Sequence, residues 1–253
     1  MGSLPYRAVI VDLDRTLLRT DKSVSDYTRD VLGKWQDAGV YLYAATARPQ
    51  RAITEYCAML GFRSVTTLNG ARTVTPAGMF EYPILTGSAV SILEKLSRTE
   101  ETVISVEAER GLFANRDIPV WSPEVTGRLG ELPLGQKVYK ILASHPFLPV
   151  EQIPVTMPED VYCSVADRKL LQFMSRSATK WNGILQMLEH DGISAEEAVY
   201  FGDDNDDVEP VRRCGLGVAV RNALDCVKAI ADDIADSNDE DGVARYLARL
   251  AGQ

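Results

Sequence analysis

Two rhythms alternate along the first third of the chain. Short unbroken apolar runs, Ala8-Val9-Ile10-Val11, Val40 to Ala45 and Val65 to Leu68, have the length and side chains of strands buried on both faces. Between them, Ser25 to Ala38 and Pro49 to Gly61 carry apolar residues at helical spacing. Ser25 is a suitable N-cap, Gly39 a left-handed stop, and Pro49 a first-turn residue whose missing N–H costs nothing. This alternation predicts a parallel α/β sheet with helices on both faces.

The rhythm changes after Asn69-Gly70. Thr73 to Thr75 and Met79 to Tyr82 flank Pro76-Ala77-Gly78 and predict a hairpin. A helix over about 87–96 and strands at Thr102 to Glu107, Lys137 to Ala143, Val161 to Val165 and Leu170 to Met174 follow, heavily punctuated by proline and glycine. That pattern suits an antiparallel α+β insert. Alternation resumes with a helix from Ala178 to His190, a capping box at Ser194 and Glu197, strands at Ala198 to Phe201 and Leu216 to Val220, and helices at Asp225 to Ile230 and Val243 to Leu250. The expected organisation is a core made of 1–81 and 176–253, interrupted by an inserted unit over 82–175.

Composition narrows the function classes. A formal net charge of -9 argues against nucleic acid or an anionic membrane as partner, so an anionic substrate needs a local positive site. The four cysteines show no C-x-x-C spacing and predict free thiols in a reducing compartment. Two histidines exclude a three-histidine zinc centre, and neither adjoins a nucleophile motif. No apolar run reaches the roughly 18 residues of a membrane span, and the first strand begins too early for a signal peptide. The expectation is a cytoplasmic protein; its oligomeric state is left open.

Chemistry concentrates where the strands end. Asp12-Leu13-Asp14-Arg15-Thr16 follows the first apolar run, Thr46 the second, and Gly202-Asp203-Asp204-Asn205-Asp206-Asp207 a later one, while Lys180 begins a helix. Open α/β sheets bind ligands at the carboxyl ends of their strands. Asp12 and Asp203 there suit a magnesium ion, which takes few protein carboxylates beside water and phosphate oxygens. Asp12, screened by a metal and Lys180, can attack phosphorus, and Asp14 can move the proton. Thr46 and N–H groups near it and Asp14 can hold phosphoryl oxygens. Taken singly, these residues are equally explained as caps, turn residues and a surface lysine; their order and spacing carry the signal. The acidic loop opens like an EF-hand, but Val208 and Cys214 stand where glycine and glutamate are needed.

In that order, the four segments resemble the motifs of haloacid dehalogenase superfamily phosphatases, and the whole chain resembles the Cof-type subgroup with its C2-type cap. Leu68-Asn69-Gly70-Ala71, Asn222-Ala223 before Val227-Lys228, and Ser237 to Val243 add to the likeness. The resemblance implies a Rossmann-like core with an α+β cap, and magnesium-dependent hydrolysis of a small phosphorylated metabolite through an aspartyl phosphate. It implies Asp12 as nucleophile and metal ligand, Asp14 as acid/base and backbone metal ligand, and Thr46 and Lys180 as phosphate ligands. Asp203 and Asp207 join the metal set, with Asp206 a further candidate, and Arg48 and Asn69 are candidate substrate contacts. A phosphotransferase or mutase, or a non-catalytic phosphometabolite-binding protein, remains as the alternative. Two departures stand out: Arg15 where the family has glycine, and Asp206 where it has asparagine.

Overall fold

The computed structural model describes residues 6–155, 157–166 and 169–252. Two compact units emerge, one formed by Met1–Phe80 with Thr179–Gln253 and the other by Glu81–Ala178. In chain order the strands are β1 (Ala8–Val11), β2 (Tyr41–Ala45), β3 (Ser64–Thr67), β4 (Arg72–Thr75), β5 (Gly78–Glu81), β6 (Val103–Ala108), β7 (Gly111–Ala114), β8 (Glu124–Val125), β9 (Val138–Ser144), β10 (Val161–Ala166), β11 (Leu170–Ser175), β12 (Ala198–Gly202), β13 (Leu216–Val220) and β14 (Asp233–Ala235). The helices are α1 (Asp26–Asp37), α2 (Thr54–Leu60), α3 (Thr86–Ser97), α4 (Leu132–Gly135), α5 (Lys180–Asp191), α6 (Val208–Arg213), α7 (Asp225–Lys228) and α8 (Gly242–Ala251).

The first unit is built on a sheet of order β14-β13-β12-β1-β2-β3-β4-β5. Its first six strands run parallel, and β4 returns antiparallel to β3. Every residue of β1 is buried, which is why its sequence is a continuous apolar run. Val11 lies opposite Phe201 of β12 and Ala44 of β2, so these three strands end at one level. Ser25 caps α1 by accepting the Thr28 N–H at 3.0 Å, and Gly39 follows at φ 87°.

The second unit carries a six-stranded sheet of order β10-β11-β9-β6-β7-β8, antiparallel except at β7 and β8. One face packs Ile104, Val106, Ile141, Ala143 and Phe173 with Ala89, Ile92, Leu93 and Leu96 of α3 into a core of its own. No helix among the described residues is long and apolar enough to cross a membrane.

Several elements differ from the pattern-based expectation. The helix expected over Pro49 to Gly61 is a 3-10 turn at Gln50–Ala52 followed by α2. Ile53 separates them at φ -122°, its side chain fully buried, so the helical ladder breaks at this residue while the apolar spacing continues. The helix expected at Asp225 to Ile230 stops at Lys228. Leu68 leaves β3, and Leu68, Asn69 and Gly70 all take positive φ. Strands β7, β8 and β14 were not legible as apolar runs, since they are short and their pairing is tertiary.

Candidate active site

Parallel adjacency of β12, β1 and β2 carries their carboxyl ends to one edge, placing Asp203, Asp12 and Thr46 in adjacent loops. Lys180 arrives from another direction as the first residue of α5, behind the N-cap Thr179, whose hydroxyl accepts the Asn182 N–H at 3.1 Å. Gly70 lets this junction close, because a Cβ there would strike the Thr179 carbonyl.

Buried oxygens of Asp12, Asp203 and Asp207 lie within 4.8 Å of one another. The Lys180 ammonium donates to Asp12 Oδ1 at 2.7 Å and to Asp207 Oδ1 at 2.6 Å. Asp207 also accepts from the Tyr200 hydroxyl at 2.5 Å, and its Oδ2 accepts the N–H groups of Asp203 and Asp204 at 2.8 and 3.0 Å. All four acceptor positions of Asp207 are thus used, and it acts as an organiser of the acidic loop and of Lys180. Asp203 Oδ1 accepts from the Thr16 hydroxyl at 3.0 Å, and Asp12 Oδ2 has no protein donor among the described residues.

Charge is out of balance in this cluster. Burial raises the Asp12 carboxyl well above its usual range, against the pull of Lys180 and with added repulsion from Asp207 and Asp203. Burial likewise pushes Asp203 up to about 6, with Asp207 adding to it. Burial alone would lower the Lys180 ammonium, but Asp12 and Asp207 hold it well above its usual value.

Asp14 faces elsewhere. Arg48 grips it with Nε to Oδ2 at 2.6 Å and a terminal nitrogen to Oδ1 at 2.7 Å, and the Lys22 ammonium donates to Oδ1 at 2.7 Å. Partial burial raises its carboxyl, but these donors outweigh that and bring it to about 2. Arg48 also lies over the Tyr56 ring, 5.5 Å from its centroid. Thr46 is buried and its own N–H donates to Thr66 O at 2.9 Å. Its Oγ1 accepts the Arg48 N–H at 3.2 Å, leaving the hydroxyl proton to donate. Asn69 is buried and its amide donates to Asp206, so these two candidates meet each other outside the three-carboxylate group.

A family model described as haloacid dehalogenase-like hydrolase matches residues 9–247. The chain belongs to this family. A 5-amino-6-(5-phospho-D-ribitylamino)uracil phosphatase of Bacillus subtilis is 27% identical over 268 residues, covering 98% of each chain. A phosphoglycolate phosphatase of Methanopyrus kandleri is 27% identical, covering 96% of each. Among solved structures, a phosphatase of the haloalkanoate enzyme superfamily from Bacteroides thetaiotaomicron superposes with a TM-score of 0.85 at 22% identity, over 99% of this chain and 97% of the other. The chain is a phosphatase of the haloacid dehalogenase type.

In this hydrolase the cluster fits a hard divalent cation: its donors are all carboxylate oxygens, and two of them are raised by burial, with repulsion among the three acids adding to it. Sequence patterns alone missed Lys22, Thr16 as a partner of Asp203, and Tyr200. Tyr200 had a signal, since a tyrosine inside a fully buried strand needs a partner for its hydroxyl. Lys22 had none, sitting in a loop at φ 69°.

Replacing Asp203 with asparagine is expected to stabilise the metal-free protein at pH near 8. A carboxyl raised to about 6 favours folding below its unfolded value and loses that contribution as pH climbs through 6. The amide mimics the protonated form at every pH and still accepts from Thr16. The gain should shrink below about pH 6 and vanish only below about pH 4, where Asp203 carries a proton in the folded and the unfolded chain alike. Thermal unfolding without metal across this range checks it; a gain independent of pH counts against the charge explanation.

Proposed function

We propose that the chain is a magnesium-dependent phosphomonoester hydrolase working through an aspartyl phosphate at Asp12. The carrying observation is the state of that side chain: one oxygen on Lys180, the other without a donor among the described residues, at the end of a buried strand beside two further carboxylates. Asp12 and Asp203, with the Asp14 carbonyl, would hold magnesium, and Asp207 supports them. When bound, the ion supplies positive charge that screens the phosphoryl oxygens.

Asp12 attacks phosphorus through the oxygen that Lys180 does not hold. The bond from phosphorus to the ester oxygen breaks, and Asp14 delivers a proton to the departing alkoxide. Water then attacks the phosphoryl group, giving its proton to Asp14; inorganic phosphate leaves and Asp12 is restored. Lys180 and the Thr46 hydroxyl neutralise and orient phosphoryl oxygens. The acid role needs a proton that Arg48 and Lys22 expel in the free enzyme, and either cation turning to the anionic substrate raises the proton affinity of Asp14.

The relatives named above act on small phosphorylated metabolites, and the same substrate class is proposed here. None of the groups named so far engages the leaving group beyond its oxygen, so its choice is assigned to the 81–178 unit. Hydrolysis of p-nitrophenyl phosphate and a metabolite panel, with and without magnesium, tests the reading; no magnesium-dependent release of phosphate from any of them would overturn it.

Asp14→Asn should lower kcat on alkyl phosphates by at least about 100-fold, because the alkoxide then leaves without its proton. On p-nitrophenyl phosphate, whose phenolate needs little protonation, the loss should be much smaller. Equal losses on both would remove Asp14 from the proton-transfer role.

A further inference from the structure

We propose that Arg15 is a tethered competitor of the divalent cation, a guanidinium that engages Asp203 in the metal-free protein and thereby sets how tightly magnesium is held. The inference rests on the metal reading above and concerns a residue that no motif explains.

Asp203 has two acceptor oxygens, and both face cationic or hydroxyl groups. Oδ1 takes the Thr16 hydroxyl at 3.0 Å, and Oδ2 lies 3.8 Å from Arg15 Nε. The two side chains differ sharply in exposure, 61% for Arg15 against 6% for Asp203. A half-solvated guanidinium thus covers the outer side of a buried ligand. Its grip is loose: beyond the 3.8 Å contact, its only other side-chain bond among the described residues is a 3.5 Å reach to the Asn222 carbonyl. An ion pair of that geometry and exposure is weak enough for a divalent ion to displace.

The backbone holds this placement deliberately against its own preference. Arg15 sits at φ 61°, in the left-handed region that favours glycine. Asn222 pins it there, its amide donating to the Arg15 carbonyl at 2.7 Å while its side-chain oxygen accepts the Asn238 N–H at 3.0 Å. Asn238 in turn donates from its side chain to Leu18 O at 3.0 Å, closing the turn from the other end. The turn would form more easily with glycine, yet the chain carries its longest cation at this position.

Charge explains what the arginine does there. Three buried carboxylates face one buried lysine, and Arg15 is a second, exchangeable positive charge. Without metal it offsets part of the excess negative charge. With metal it becomes a like charge beside a divalent ion, partly screened by solvent. Both effects lower net metal affinity.

Titration calorimetry of magnesium into the full-length chain, at low ionic strength, reads this without any turnover. Arg15→Gln removes the charge and leaves a side chain at positive φ; it should lower the magnesium Kd on the order of tenfold. Arg15→Gly should do the same, and Arg15→Lys should stay within about threefold of wild type. At about 0.5 M salt the Gln variant and wild type should converge. A Gln variant with wild-type affinity overturns the inference, as does tightening in the Gly variant alone, which would trace the effect to the backbone. A wild-type protein that binds no magnesium sinks the metal reading itself; magnesium bound by wild type and lost in Asp203→Asn keeps that reading whatever the Arg15 variants do.

Discussion

Asp12→Asn is expected to abolish turnover in a protein that remains folded. An amide keeps the shape and still accepts from Lys180 through its oxygen, but it neither attacks phosphorus nor binds a divalent ion well. Removing the nucleophile of a covalent mechanism lowers kcat by at least about 10,000-fold. That corresponds to roughly 5.5 kcal/mol of lost transition-state stabilisation. Folding should not suffer, because burial works against the ionised Asp12 carboxylate and holds it well above its usual range. Metal-free thermal stability at least equal to wild type is the expected companion result. Acid-quenched wild-type enzyme should carry a base-labile phosphoryl group on this residue and the variant none. Turnover within tenfold of wild type would refute the nucleophile assignment.

Lys180→Ala should lose both stability and rate, for one electrostatic reason. The ammonium is buried, and its two short contacts to Asp12 and Asp207 are the cluster's only buried cation among the described residues. Removing one partner of a buried charge pair costs about 3–5 kcal/mol, because the carboxylates left behind stay desolvated. Lys180 is held well above its usual value, so its contribution is present in full throughout the acidic and neutral range. The variant's carboxylates can compensate by taking protons, so the deficit in metal-free unfolding should be larger at about pH 8 than at about pH 5. At saturating magnesium the rate should still fall, since a phosphate ligand has gone. A deficit that does not depend on pH, with an unchanged kcat, would make Lys180 a packing residue.

The sequence by itself determined the fold class and the strand ends. Ala8 to Val11 and Ala198 to Phe201 read as doubly buried strands because a strand covered on both faces has no polar side to show, and that requirement is written in consecutive residues. A polar residue directly after such a run is carried to the sheet edge whatever the rest of the chain does, so Asp12, Thr46 and Asp203 could be placed there. The N-caps of α1 and the turn at Ser194 were equally local, each set by one side chain and the N–H groups within three residues of it.

Only the tertiary structure decided which of these ends meet and what each side chain touches. Lys180 reaches Asp12 across 168 residues, and the strand order that allows it depends on crossovers, not on any periodicity. Arg48 and Asn69, both candidates for substrate, are held by Asp14 and Asp206 in the ligand-free protein, because an acid nearby in space competes for a donor that sequence leaves unassigned. Asp207, one acid among several in its loop, becomes the saturated organiser only once Tyr200, Lys180 and two N–H groups converge on it. Arg15 shows the same limit most plainly. The sequence marks it as an odd residue in a turn, but its charge matters through Asp203, which lies 188 positions away in the chain and 3.8 Å away in space. Hydrophobic pattern encodes which face is buried over a few residues; the partners of polar side chains are set by Coulomb interactions and hydrogen-bond geometry among segments that only the folded sheet brings together.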